Sequence, residues 1–383
     1  MRFEFATASR VVFGPGTVAE TAPAAQTLGK RALLPVNSID RAFDLLDQLR
    51  KVNVEPFPFL VDDEPTIESV TESIHLARQT GCDLVIAMGG GSALDTGKAT
   101  AALLTNPGDL PNYLEVIGKG KPLERAGLPV IAIPTTAGTG SEVTRNAVIT
   151  SPEHRLKVSL RSAGMLPRLA IIDPQLTYSL PPAVTASTGL DALTQLIEPF
   201  VSNSANPISD AVCREGMRRA GRSLQRAVED GRNASAREDM ALSSLFGGLA
   251  LANARLGAVH GLATPIGAIC HAPHGVVCAR LLPLVMETNL HALQLRQPES
   301  PALERYTEIG RILTGKSTAG AMEGVEWVRR LIHAVEIRPL SEYGLKMPDF
   351  AEIASQAQNA SSMKGNPIGL TDEELMAILE KAS

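Results

Sequence analysis

Little in this chain is aromatic, and neither sign of charge dominates. Aromatic residues make up 4% of its 383 positions, with a single tryptophan, so no stacking platform for sugars stands out. Lys and Arg number 36 against 41 Asp and Glu, a net charge of −5 at pH 7. That balance leaves no electrostatic footprint for nucleic acid or for an anionic membrane. The four cysteines, Cys82, Cys213, Cys270 and Cys278, lie at no metal-ligand or redox spacing and are too few for a disulfide framework, so a reducing cytoplasm is the expected setting. The opening MRFEFATASR carries Glu4 and Arg10 where an export signal needs an unbroken apolar run, and no signal is expected. From Leu256 to Ala279 there is no Lys, Arg, Asp or Glu. Pro265, Pro273, several glycines and three histidines interrupt that stretch, which suits a buried functional segment better than lipid.

Composition otherwise fits a globular protein: 44% apolar and 20% charged, at a length that argues for two domains. Up to about residue 180, apolar runs of strand length alternate with amphipathic segments. Arg31–Val36, Asp83–Met88, Leu128–Ile133 and Leu169–Asp173 read as strands, and Ile67, Val70, Ile74 and Ala77 recur at helical spacing. Near-continuous apolar strands separated by helices indicate a parallel sheet covered on both faces. Beyond Pro181-Pro182 the strand signals fade. Ala183–Val201, Ser209–Glu229, Ala236–Leu256, Ala302–Leu313 and Gly324–Val335 read as helices, and Thr371 caps a last one. The expectation is an α/β domain over residues 1–181 and an all-helical domain over 182–383.

Two loops in the first half suit a phosphate-bearing ligand. Gly89-Gly90-Gly91-Ser92-Ala93-Leu94-Asp95 links a strand to a helix, where glycines admit a ligand close to the backbone and the helix start offers unpaired N–H groups. Glycine turns after strands are also common without any ligand. Pro134-Thr135-Thr136-Ala137-Gly138-Thr139-Gly140-Ser141 follows the next strand, at the end where open α/β sheets bind ligands. The Walker pattern is absent, and so is G-x-G-x-x-G after residues 31–36; a dinucleotide in a non-standard glycine cradle fits better than an NTPase. In the second half Asp191 and Gln195 share a helix face at i, i+4. His260 and His274 lie in the uncharged stretch, and an acid with imidazoles in apolar surroundings suits a divalent metal. The alternative is a satisfied core histidine at 260 and a solvated Asp191–Gln195 pair. His271 reads as a bystander.

Taken in order, Val12–Gly16, GGGSALDTGK at 89–98, PTTAGTGSEVT at 134–144, Asp173-Pro174, TGLDALTQLIE at 188–198, GAVHGLATPIG at 257–267, APHGVVCARLLP at 272–283 and Asn366-Pro367 resemble the iron-containing (group III) alcohol dehydrogenase family almost end to end. The resemblance implies a dehydroquinate synthase-like architecture, with a dinucleotide-binding α/β domain, an all-helical metal and substrate domain, and catalysis in the cleft between them. It implies NAD or NADP held by Gly90, Gly91 and Ser92 with Asp95 nearby, by Thr135, Thr136 and Ser141 on the nicotinamide side, and by Lys157 and Asn37 at the riboses. It implies Fe²⁺, or Zn²⁺, at Asp191, Gln195, His260 and His274, a small alcohol or aldehyde as substrate, and a homodimer. Three positions depart from the family pattern: Gln195 and Thr264 stand where histidines are usual, and Asn37 where aspartate is. A maleylacetate reductase-like enzyme working without metal, which the chain resembles near Arg10–Gly14, and a catalytically retired nucleotide-binding member are the other readings. Retention of Asp191, His260 and His274 favours the metal-dependent dehydrogenase.

Overall fold

β-Branched and aliphatic runs in the first half become strands because both of their faces are covered by helices. A computed structural model describes residues 2–154, 156–270 and 272–383; His271 lies outside them. The first half runs β1 (Val11–Phe13), α1 (Thr21–Leu28), β2 (Arg31–Val36), α2 (Ile39–Lys51), β3 (Glu55–Leu60), α3 (Ile67–Gln79), β4 (Leu84–Gly89) and α4 (Gly91–Thr105), and then β5 (Val130–Pro134), β6 (Asn146–Ser151), β7 (Leu156–Arg161) and β8 (Leu169–Ile172). Six strands form a parallel sheet in the order β1-β8-β5-β4-β2-β3, and β6 and β7 pair as a separate antiparallel hairpin. Side chains alternate across the sheet. Ala32, Leu34 and Val36 pack with Leu84, Ile86, Ile131 and Ile133 under α1 and α2, whereas Leu33, Val85 and Val130 pack with Ala77 of α3 and Ala101 of α4.

β1, β3, β6 and β7 were not anticipated from sequence. β3 is Glu-Pro-Phe-Pro-Phe-Leu, and its two prolines argue against a strand unless it lies at an edge. It does lie at the edge, beside β2 alone. The amides of Glu55 and Val61 donate to Lys30 and Val36, so by strand alternation the nitrogens of Pro56 and Pro58 point away from the ladder, where no donor is required.

The second half is helical: α5 (Pro182–Val201), α6 (Pro207–Glu229), α7 (Ala234–Ala254), α8 (Ala258–Ile269), α9 (His274–Arg296), α10 (Pro301–Thr314), α11 (Ala321–Ala334), α12 (Phe350–Asn359) and α13 (Asp372–Ala382). Thr371 and Glu374 cap α13 reciprocally. One compact unit comprises Tyr178–Ser383 with Met1–Phe5 and Ala137–Thr139; the other comprises Ala6–Thr136 and Gly140–Thr177. The main break therefore falls just before Pro181-Pro182. α9 is long and apolar enough to cross a membrane, but 72% of its apolar window is buried, as for a core helix of the helical unit.

A knot of buried charge shapes the α/β unit around its second loop. Lys98, 1% exposed, reaches from α4 to the carbonyls of Ser141 and Asn146, the Thr144 hydroxyl and the Asp95 carboxylate. Asp95 in turn accepts from the Ser141 hydroxyl at 2.5 Å and the Val148 amide at 2.9 Å. Glu142 lies beside it, 1% exposed; burial raises its pKa from 4.5 to about 7, against a weaker opposing pull from its own backbone amide and Lys98. A carboxyl whose folded pKa is raised retains its proton in the native state while the unfolded chain has lost it. Native stability should therefore fall as pH rises from 4.5 to about 7. Glu142→Gln removes that loss: its stability advantage should grow across this window to the order of 3 kcal/mol and then level. Denaturant melts of both proteins at pH 5 and pH 8 check this; a difference independent of pH contradicts it.

Candidate metal centre and cofactor loop

In the α/β unit the chain runs from β2 outward to β3, then returns to β4 on the other flank of β2. The winding direction reverses between β2 and β4, the kind of switch point where such sheets bind ligands. Asn37 follows β2 and Gly90 follows β4, and the Gly90 amide donates to Asn37 Oδ1 across that point at 2.7 Å. Asn37 Nδ2 donates to the Val61 carbonyl and to Ser92 Oγ. Asn37 is thus a tie between three loops. Gly90 precedes the first turn of α4, so the N–H groups of that turn face the loop. A Cβ at Gly90 would stand in ordinary contact with the side chains of Thr136 and Asn37, at 3.6–3.7 Å.

The remaining loop residues differ in what they have free. Thr135 is buried, its amide on the Gly89 carbonyl, and Thr136 flanks Gly90. Asp95 is engaged through both oxygens, and Ser141 donates to it. Lys157, on β7, is paired with Glu64 at 2.6 Å.

In the helical unit α5, α8 and α9 converge on four donors. Asp191, His260, His274 and Cys278 each offer a ligand atom, all within 4.8 Å of one another. Asp191 Oδ1 lies 3.3 Å from His260 Nε2 and 3.8 Å from His274 Nε2. Close packing makes this possible: a Cβ on Gly275 would stand 2.2 Å from the Ser187 carbonyl, so only glycine lets the start of α9 sit against α5. Cys278 corrects the sequence reading that gave no cysteine a ligand spacing. It follows His274 by four residues on α9, which puts both on one face once the segment is helical. Thr264, at the other altered position, donates its hydroxyl to the His260 carbonyl.

Each donor is held by its neighbours. Glu198, which sequence reasoning left without a role, sets His260: Oε2 lies 2.6 Å from His260 Nδ1, and Oε1 accepts from the Val259 amide at 2.7 Å. A proton fixed on Nδ1 leaves Nε2 as the ligand atom. The signal for Glu198 was present, since Asp191, Gln195 and Glu198 follow at i, i+4, i+7 on α5. Asn366 caps the Ala258 amide and exchanges hydrogen bonds with Asn289, which places Asn366-Pro367 in the same scaffold. The Gln195 amide donates to Asp191 Oδ2 at 2.8 Å.

These residues fit a divalent ion. Asp191 is 2% exposed, yet among the described residues its Oδ1 makes no regular hydrogen bond and only faces His260 Nε2 at 3.3 Å, and Gln195 Oε1 makes none either. Buried unpaired oxygens are costly and rare. Burial opposes ionisation of Asp191, but His260, His274 and the Gln195 amide outweigh it and hold the carboxyl below its usual range. Burial likewise opposes charge on His260, and Cys278, Asp191 and Glu198 overcome it, holding this imidazole well above its ordinary value. His274 is raised by Cys278 foremost, against burial, with Asp191 adding to it. The cluster attracts positive charge, which a metal supplies once the imidazoles give up their protons. Beside it lies a cavity of about 330 Å³ lined by Asp191, His274, Val184, Thr188, Thr139 and Tyr343, among others. Tyr343, from a short turn far along the chain, had no local sequence signal.

Residues 8–174 match the family model described as iron-containing alcohol dehydrogenase, and residues 185–383 the one described as Fe-containing alcohol dehydrogenase family, C-terminal. Alcohol dehydrogenase 4 of Saccharomyces cerevisiae is 36% identical over 378 residues, covering 97% of this chain and 96% of the yeast protein. The 1,3-propanediol dehydrogenase of Klebsiella pneumoniae is 37% identical over 380 residues, covering 97% and 96%. Among solved structures, a 1,3-propanediol oxidoreductase superposes with a TM-score of 0.91 at 34% identity, covering 100% of both chains. Sulfoacetaldehyde reductase from Bifidobacterium kashiwanohense, in complex with NAD+, superposes at 0.87 and 28% identity, covering 100% of this chain and 99% of that one.

Glu198→Gln keeps the size of the side chain but presents an amide to His260. Metal affinity should fall by about 10–100-fold, the usual effect of losing a carboxylate behind a ligating imidazole. Competition titration against a chelator measures it. An unchanged affinity means that His260 is oriented without Glu198.

Proposed function

The chain belongs to the iron-containing alcohol dehydrogenase family, and we propose that it transfers hydride between NAD(P)(H) and a small alcohol, aldehyde or ketone with a divalent metal at Asp191, Gln195, His260 and His274. The observation that carries this reading is the unpaired Oδ1 of buried Asp191 facing the Nε2 atoms of two histidines. When bound, the metal supplies Lewis acidity toward the substrate oxygen, and the nicotinamide supplies or accepts the hydride.

The protein's own part is to place these groups and exclude water. Gly90, Gly91 and Ser92 open the first turn of α4 to a pyrophosphate. Thr135, Thr136 and Ser141 belong to the loop assigned to the nicotinamide, and Asp95 with Lys98 holds Ser141 in place. Lys157 reaches a ribose only by leaving Glu64. Glu198 keeps the proton of His260 on Nδ1. The cavity lined by Asp191 and His274 carries mostly small side chains, which suits a short-chain substrate; the bacterial and yeast relatives named as alcohol and propanediol dehydrogenases support that class. Four free cysteines support a reducing, cytoplasmic setting.

Chelator-treated protein should lose aldehyde reduction with NADH and regain it with Fe²⁺ or Zn²⁺. Full activity in metal-free protein overturns the proposal and favours a metal-independent reductase of the maleylacetate type.

Cofactor choice turns on Asn37, which has no negative charge to repel a 2′-phosphate. NADPH should be used, with kcat/KM for NADH no more than ~100-fold higher, roughly 2.7 kcal/mol. Asn37→Asp should shift the ratio toward NADH. It should also lower Tm, because Nδ2 no longer donates to Val61 and Ser92.

A further inference from the structure

Cys278 stands in the buried donor cluster without a part in the ligand set proposed above. Its Sγ lies 3.5 Å from His274 Nε2 and 3.8 Å from His260 Nε2, and the residue is fully buried. With the two Asp191 contacts at 3.3 and 3.8 Å, four edges between these donors have been measured. A tetrahedral ion with bonds of about 2.0–2.3 Å to N, O and S ligands has edges of roughly 3.3–3.8 Å. Four of the six edges thus match such a site, and the other two lie within 4.8 Å.

Gln195 is the weaker candidate for the last corner. Its Oε1 is free of hydrogen bonds among the described residues, but a neutral amide oxygen attracts a transition metal less than an imidazole or a thiolate. We propose that the Cys278 thiolate is a metal ligand in this chain, joining Asp191, His260 and His274 in a mixed N, O and S set that favours Zn²⁺ over Fe²⁺. The inference rests on the metal-dependent reading. Coordination replaces the S–H bond with a sulfur–metal bond, and the thiol proton leaves to solvent. A soft thiolate raises affinity for Zn²⁺ more than for Fe²⁺. Neither Cys278 nor His260 lines the cavity, whereas Asp191 and His274 do. Asp191 and His274 would thus present a bound ion to the cavity, and Cys278 with His260 would hold it from outside the cavity lining.

The test loads full-length wild type, Cys278→Ser and Cys278→Ala with Co²⁺ under anaerobic conditions, and follows binding by equilibrium dialysis beside the absorption spectrum. Wild type should show a thiolate-to-Co²⁺ charge-transfer band in the near ultraviolet, absent from both variants although they still bind Co²⁺. Zn²⁺ affinity should fall by about 10-fold or more in the variants, with a smaller fall for Fe²⁺. Two results overturn the thiolate ligand while leaving metal dependence standing: a Co²⁺-loaded wild type without the band, or a band that persists in both variants. A wild type that binds none of Co²⁺, Zn²⁺ and Fe²⁺ overturns the metal-dependent reading itself.

Discussion

Asp191 puts a carboxylate inside a helical core at 2% exposure, and an isolated charge there would cost several kcal/mol unless matched. Much of the polar structure of the helical unit answers that requirement. His260 and His274 come from two other helices to face it, and Gln195 donates to its second oxygen. Glu198 then secures His260, and the same carboxyl satisfies the Val259 amide at the start of α8. Asn366 satisfies the neighbouring Ala258 amide. The helices that bring these groups together pack closely through a shared apolar core, so closely at the start of α9 that Gly275 cannot carry a side chain.

The α/β unit solves a similar problem with the opposite sign. Lys98 is buried, and its ammonium is directed to Ser141 and Thr144, to the first residue of β6 and to Asp95. These bonds tie down Ser141 and Thr144 on either side of the buried Val143. Asn37 does the same for the first loop, joining β2, β3 and the turn before α4 through one carboxamide. Both loops are held by side-chain hydrogen bonds, buried at Lys98 and partly exposed at Asn37.

Strands with continuous aliphatic runs were legible in the sequence, because burial on both faces leaves an unbroken apolar signature. β3 was not, since its pattern carries two prolines and only its edge position reconciles them with pairing. β6 and β7 form a hairpin outside the main sheet, and their mixed side chains carry no comparable run. In the metal centre Asp191, His260 and His274 could be read as chemistry, and the structure brings them together. Cys278 could not be read as a spacing between cysteines. Its partner is a histidine four residues earlier, and the pair becomes visible only when 274–296 is known to be helical. Glu198 was hidden for a related reason: it bonds to His260, 62 positions away, and not to Asp191 or Gln195 on its own helix.

Gln195 shows what a carboxamide does beside a buried carboxylate. An imidazole there could offer one nitrogen to an ion; the carboxamide offers its N–H to Asp191 Oδ2. That bond orients the acid, so that one oxygen is occupied and the other, Oδ1, faces the histidines unpaired. An unpaired buried oxygen costs about 1–3 kcal/mol, and the fold retains it where a cation would convert the cost into a bond. A residue that ligates less thus orients more. Were an ion bound there through that single oxygen, its remaining charge and softness would have to come from the neighbouring donors. Within the same 4.8 Å of space the chain supplies a sulfur.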